Sequence, residues 1–285
     1  MNKINQFRRQ PYATIEQKSD QWLNLRKNFI TASNVYKIFD KNDEYIEYIK
    51  EKASGISSFK GNEATCFGEI FEPVAREIYM YITKEYVEEF GLVINEDLPY
   101  CAVSPDGVTE SDRLLEIKCP YTRKITGQVP NHYYHQIQLQ LAVCDCDECD
   151  FLECKFKEIS ASEYNKELKN IQNTDKFVCL CKTKDYKVDC YMNGPANTIN
   201  NISKFTRYSD NNTYKYSKIT DVPKNNYWTN KTNYYKLDFV SLQTVDRNPE
   251  WLNIHKKDLN ETIPFVNECR KDITKLNKIK CDCEF

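Results

Sequence analysis

Residues 104–120 read SPDGVTESDRLLEIKCP. Leu115 and Ile117 alternate with Glu116 and Lys118. A period of two marks a strand and puts Glu116 and Lys118 on one face. Pro120 lacks the N–H that a ladder needs, so the strand ends there. Ahead of it, Ser104-Pro105-Asp106-Gly107 is a turn signal that fixes the aspartate beside a strand end. Half-buried charges among apolar neighbours are costly and usually serve a purpose.

Asp106, Glu116 and Lys118 would bring two carboxylates and an ammonium to one sheet edge. Carboxylate oxygens suit a hard divalent cation. Such a cation polarises a phosphate, lowers the pKa of a bound water and neutralises developing charge. The lysine could orient or deprotonate that water, or stabilise the transition state. The backbone carbonyl of Ile117 lies between the two side chains and could supply a further oxygen. The bland alternative is a surface hairpin with a salt bridge across it, because three common charged residues recur by chance.

The rest of the composition is that of a globular chain. It has 285 residues, 40% of them hydrophobic, enough for a full core. No run of 18 apolar residues marks a membrane span. The opening MNKINQFRRQPYATIEQ has no apolar signal region, so an intracellular, non-secreted protein is expected. In a reducing compartment the thirteen cysteines are expected as thiols or metal ligands rather than disulfides. Net charge is −2, yet residues 176–236 hold eleven Lys/Arg against four Asp/Glu. That basic stretch on an acidic body can meet a polyanion locally.

Helical spacing is expected at 42–54, at 66–82 (Phe67, Ile70, Phe71, Val74, Ile78, Ile82), at 160–172 and over 249–278. Residues 131–144, NHYYHQIQLQLAVC, are expected as an amphipathic helix with Tyr134, Ile137 and Leu141 on one face. Pro73 fits the second helix only in its first turn or at a kink. Ser19 or Asp20 could cap a short helix carrying Trp22 and Arg26, and Thr31 or Ser33 a second one. Strands are expected at 87–103 (two, with a turn at 95–97), 114–119, 151–159, 177–181, 186–191 and 235–240. This order predicts an α/β (α+β) fold with a mixed sheet flanked by helices.

These segments together resemble a known family. SPDG…LLEIKCP is similar to the core of the PD-(D/E)xK nuclease superfamily, and more narrowly to the lambda-type alkaline exonucleases and YqaJ-like viral recombinases. Trp22-Leu-Asn-Leu-Arg26 and Ile30-Thr31-Ala32-Ser33 stand where that family has its tryptophan, arginine and T-A-S turn. Gly68, Glu72, Ala75-Arg76 and Tyr79 match its first long helix, and Tyr133, Gln136 and Gln138 the helix after the E-x-K strand. A weaker echo stands at Asp246–Trp251. The resemblance covers roughly 20–160, and ordered motifs are more specific than any one alone.

The resemblance implies a restriction-endonuclease-like core in a single nuclease domain over 1–285. The core would be about 14–172 and 236–278, with a basic, aromatic-rich insertion at about 176–236. It implies Mg²⁺, with Mn²⁺ as a substitute, held by Asp106, Glu116, the Ile117 carbonyl and Glu72. Lys118 would be the catalytic lysine, and Gln136 would orient it or the water. Arg26, Ser33 and Ser104 match positions that hold a 5′-phosphate. The implied activity is a 5′-to-3′ exonuclease on linear duplex DNA ends, leaving 3′ single strands for recombination or repair. A ring of subunits and a single-strand annealing protein are the implied partners. A structure-specific endonuclease or an inactive DNA-binding module are the alternatives on the same core.

Weaker signals remain. Cys144, Cys146, Cys149 and Cys154 could bind a metal, although the spacing is not a standard zinc one. Cys281 and Cys283 are expected as free thiols. His132 and His135 could contact phosphate, while three histidines give no expected zinc triad. Tyr208, Tyr214, Tyr216, Tyr227, Trp228, Tyr234 and Tyr235 interleave with the basic stretch, which suits a groove that stacks bases or a small core of its own.

Overall fold

The computed structural model describes residues 2–56, 61–184, 187–195, 214–219 and 231–276. Seven α-helices are described: α1 (Lys3–Phe7), α2 (Asp20–Arg26), α3 (Asp43–Ser54), α4 (Glu63–Thr83), α5 (Asn131–Cys144), α6 (Ala161–Asn170) and α7 (Pro249–Lys271). The strands are β1 (Ile30–Thr31), β2 (Val87–Glu88), β3 (Val93–Ile94), β4 (Cys101–Val103), β5 (Gly107–Thr109), β6 (Leu114–Lys118), β7 (Glu148–Ile159), β8 (Val178–Lys184), β9 (Lys187–Asn193), β10 (Tyr214–Ile219) and β11 (Asn233–Asp246). Eight of them form one sheet in the order β10-β9-β8-β11-β7-β6-β5-β2. Only β6 and β7 pair in parallel within it, so the sheet is mixed. A small second sheet has the order β1-β4-β3.

β6 shows why the pattern matters. Leu115 and Ile117 point into an apolar cluster with Phe67, Ile70, Phe71, Val74 and Ile78 of α4. Leu114 joins the cluster that contains Ile137, Leu139 and Leu141 of α5 and Trp251, Leu259 and Ile263 of α7. Helices therefore cover both faces of the central strands, and Glu116 lies on the α5 face with no exposed surface. This is an α/β fold of the expected kind.

Four local expectations change. In the stretch 87–103, β3 and β4 form the expected antiparallel pair around 95–97, but the first strand is broken, because β2 joins the large sheet while β3 joins the small one. The break falls at Gly91, whose N–H donates to Ala13. A Cβ there would sit 2.2 Å from the Ile15 carbonyl oxygen, so only glycine lets the chain pass. Pro73 lies deep inside α4, which begins at Glu63 and runs unbroken to Thr83. Apolar packing along the whole helix outweighs the one backbone bond that the proline cannot make. α5 is not amphipathic: every residue from Gln136 to Cys144 is buried, and the amide nitrogens of its three glutamines donate to Glu116 and to the Asp246 carbonyl. The residues after Thr31 form a 3-10 helix, Ala32–Ile38, whose N-cap Thr31 makes no side-chain cap bond. Ser19, by contrast, caps α2 by accepting from the Trp22 N–H, and α3 starts from Asn42.

Within 176–236, β8 and β9 continue the large sheet. Cys179, Cys181, Val188, Cys190 and Met192 share the apolar cluster of α4. Tyr208, Tyr227 and Trp228, and the tail cysteines Cys281 and Cys283, lie outside the described residues.

Candidate active site

The turn Ser104-Pro105-Asp106 carries the chain from β4 in the small sheet to β5 in the large one. Gly107 follows because β2 passes so close that a Cβ would meet Val87 Cγ1 at 2.2 Å. This crossing fixes Asp106 beside β6. Its Oδ2 accepts a 2.7 Å hydrogen bond from the Ile117 N–H.

Glu116 is the centre of the site. Oε1 accepts from Gln136 Nε2 at 2.7 Å and from Lys118 Nζ, and Oε2 accepts from Gln140 Nε2 at 2.8 Å. Gln136 and Gln140 sit one turn apart on α5, so both amides reach one carboxylate. Lys118 Nζ also lies 4.9 Å from the Tyr133 ring centroid. Burial alone would lower the Lys118 pKa, but Glu116 and Asp106 hold it above the ordinary lysine range. Burial, then the neighbouring Glu116 and Glu72, push Asp106 well above the ordinary carboxylate range.

Glu72 comes from α4. It pairs with Arg76 at 3.3 Å and lies 3.7 Å from Lys18. Its oxygens do not close within 4.8 Å of those of both Asp106 and Glu116. Like charges spread apart, and Arg76 and Lys18 hold Glu72 to one side. Arg76 itself is 6% exposed. Its Nε donates to the Asp106 carbonyl at 3.0 Å, and Nη1 pairs with Glu89 at 2.6 Å. It ties the α4 carboxylate to the Asp106 turn. Sequence reasoning placed Arg76 only as a motif position and left out Gln140; four-residue spacing from Gln136 was the available signal.

The donor set fits a divalent metal ion. Asp106 and Glu116 offer hard carboxylate oxygens, those of Glu116 with no exposed surface. Asp106, Glu116 and the Ile117 carbonyl would hold the ion, with Glu72 at its outer side.

The three residues matched to a phosphate pocket come together next to this turn. Arg26 Nη2 donates to Ser33 Oγ at 3.4 Å, and Trp22 Nε1 donates to Ser104 Oγ at 3.1 Å. The Arg26 guanidinium lies 4.0 Å from the Trp22 ring centroid, and burial lowers its pKa to about 10. Lys52 supports the group by donating to the carbonyls of Arg26 at 2.6 Å and Phe29 at 2.7 Å.

The four cysteines at 144–154 do not gather. Cys149 and Cys154 are five residues apart on β7, so they face opposite sides of the sheet. Cys144, Cys146 and Cys149 lie in the α5 cluster and Cys154 in the α4 cluster. His132, His135 and His255 meet at one cavity with Tyr36, Phe39 and Asp40. His135 Nδ1 accepts from Trp251 Nε1 at 2.9 Å, and His255 stacks on Phe39 at 3.7 Å.

Residues 21–147 match the model of the YqaJ-like viral recombinase domain. Over that segment, a little under half of the chain, the sequence is similar to the YqaJ-like viral recombinases. That segment contains Arg26, Glu72, Asp106, Glu116, Lys118 and Gln136. An uncharacterised protein of Acanthamoeba polyphaga mimivirus is 32% identical over an alignment of 184 positions that covers 57% of this chain and 32% of that protein. The chain thus spans about a third of that viral relative. The alkaline exonuclease of Laribacter hongkongensis, also solved with dAMP, aligns over 90% of this chain and 97% of its own, with a TM-score of 0.55 and 18% identity. A phage-related exonuclease from Haemophilus somnus aligns over 88% of this chain and 99% of its own, with a TM-score of 0.51 and 13% identity. These two likenesses show a fold shared with those two exonuclease structures.

Proposed function

We propose that this chain is a Mg²⁺-dependent deoxyribonuclease, acting as a 5′-to-3′ exonuclease on linear duplex DNA ends and leaving 3′ single strands for recombination or repair. The observation that carries this reading is the buried Glu116, gripped by Lys118, Gln136 and Gln140 beside Asp106. A structural salt bridge would not need two amides and a second carboxylate with a raised pKa.

When bound, the divalent ion supplies Lewis-acid polarisation of the scissile phosphate and an activated water. The chain's own residues do the rest. Gln136 and Gln140 fix both oxygens of Glu116, which sets the direction of its lone pairs. The Ile117 N–H fixes Asp106 in the same way. Lys118 Nζ, paired with Glu116, stands where it can donate to the negative charge that develops on the phosphate or orient the attacking water. Arg26, with Ser33 and Ser104, offers a guanidinium fork and hydroxyls to a terminal 5′-phosphate monoester. Mn²⁺, also a hard oxygen-seeking ion, would substitute. Partners on this reading are duplex ends, further copies of the chain around DNA, and an annealing protein that takes the 3′ strand.

Matched linear duplexes carrying a 5′-phosphate or a 5′-hydroxyl test the reading beside a closed circle, with Mg²⁺, with Mn²⁺ and with chelator. The expected result is metal-dependent loss of the phosphorylated linear duplex, slower loss of the hydroxyl form and an intact circle. Cut circles would make the chain an endonuclease. Binding without cleavage under either ion would make it an inactive DNA-binding module.

A further inference from the structure

Away from the carboxylate site, four sulfurs form one patch on the α4 face of the large sheet. Cys181 on β8 stands directly opposite Cys190 on β9, and Cys179 stands opposite Met192. Residues two apart on a strand share a face, so both pairs point the same way. All four side chains are fully buried, and all three cysteines are free thiols. Cys179 Sγ lies 3.2 Å from Cys190 Sγ and 3.9 Å from Cys181 Sγ. Among the described residues, these three form the one group of potential metal ligands whose ligand atoms all lie within 4.8 Å of one another.

We propose that Cys179, Cys181 and Cys190 bind a single thiophilic d¹⁰ metal ion, Zn²⁺ or Cu⁺, with the Met192 thioether beside the fourth position. Zn–S bonds of about 2.3 Å in a tetrahedron place sulfurs about 3.8 Å apart, and the two measured separations bracket that value. Sulfurs this close enclose one ion, not an iron–sulfur cluster in which each iron carries its own thiolate. Soft thiolate and thioether donors select these ions over the hard cation that suits Asp106 and Glu116. The two sites would therefore not compete for one metal. Buried thiols packed as small apolar groups are the competing account. It accounts for their burial but offers no reason for three sulfurs to converge on a point.

The consequence is structural. β8 and β9 carry the sheet outward beyond β11, and their sulfur patch belongs to the same apolar cluster as Phe67, Phe71, Val74 and Ile78 of α4, the helix that bears Glu72. An ion at this point would cross-link β8 to β9 and stiffen the hairpin face that meets that helix. Tyr81 of α4 ties the helix to the chain just after β9 by donating to the Gly194 carbonyl at 3.0 Å.

The test uses the full chain, purified without oxygen and without metal-affinity resin. Elemental analysis for zinc and copper says which ion is bound. Titration with Cd²⁺ then reads the sulfur-to-metal charge-transfer band, which carboxylates cannot produce. The expected result is one equivalent of metal and a saturable band, both lost in Cys179→Ala/Cys190→Ala and kept in Asp106→Asn. The Cd²⁺ titration of the unaltered chain needs no variant, so misfolding of the double variant does not shield the proposal. No charge-transfer band from a folded chain would overturn it. So would a disulfide between Cys179 and Cys190 in the same preparation. Loss of this site leaves the nuclease reading standing, since the two rest on different residues.

Discussion

Gln140 Nε2 donates to Glu116 Oε2 at 2.8 Å, from the helix turn after the one that places Gln136 on Oε1. Both oxygens of a fully buried carboxylate are thereby held by amides of one rigid helix. Replacing Gln140 by Leu would keep the volume but leave Oε2 without that donor. The expected cost is about 1–3 kcal/mol of stability and about a 10–100-fold loss of metal affinity or activity. Urea unfolding and Mg²⁺-dependent rates measured on the same preparation check both. Unchanged values on both counts would mean Gln140 merely fills space.

Lys118→Met removes the ammonium while keeping most of the stem. It takes the positive charge from Glu116 and from the reacting phosphate together. Loss of a preorganised charge donor of this kind costs about 10²–10³-fold in kcat. The fold should also weaken, because Glu116 keeps its burial and loses its counter-charge. Added Mg²⁺ should recover part of that stability and none of the rate. Full activity in Lys118→Met would remove the lysine from the chemistry.

Arg76 joins three acceptors: the Asp106 carbonyl, Glu72 and Glu89. A lysine cannot span them, because it has one charged point rather than a fork. Arg76→Lys should therefore lower stability by on the order of 2 kcal/mol, the low side of breaking a buried pair. Glu72 and Glu89 keep some contact with solvent, which softens the loss. Chemical denaturation is the check, and a change below about 0.5 kcal/mol would contradict it.

Lys52 sets a pH dependence. Burial first, then Arg26 and Arg270, bring its pKa down from 10.5 to about 7. Between those two values the unfolded chain binds more protons than the folded one. Stability contributed here therefore rises with pH from about 7 toward 10.5 and is lost as pH falls back through that window. Lys52→Met should flatten the rise. Unfolding at pH 7, 8 and 9 in both proteins would show it, and parallel slopes would rule it out.

Much of this site could be read from residue order. Alternation in LLEIK placed Glu116 and Lys118 on one face, and the SPDG turn placed Asp106 at a strand end. Both are local properties of the chain, set by a period of two and by turn chemistry. Gln140 and the burial of α5 could not be read in that way. A helix carrying three glutamines looks amphipathic until its neighbours are known, and here the partners are Glu116, Asp246 and Asn248. The cysteines make the same point. Counting along β7 groups Cys149 with Cys154, whereas the sheet puts them on opposite faces. The sulfur patch depends on which residue of β9 faces Cys181, and that register is set by long-range pairing.

The central claim is that Asp106, Glu116 and Lys118 form one metal-dependent catalytic centre. Asp106→Asn tests it with least disturbance, because the amide oxygen can still accept from the Ile117 N–H while the negative charge is gone. The measurement is the initial rate of nucleotide release from a 5′-phosphorylated linear duplex across a Mg²⁺ titration, for the unaltered chain and for Asp106→Asn. The account predicts a saturable, Mg²⁺-dependent rate for the first and background release for the second at every Mg²⁺ concentration. Equal rates in the two proteins, or release that does not depend on a divalent ion, would contradict it.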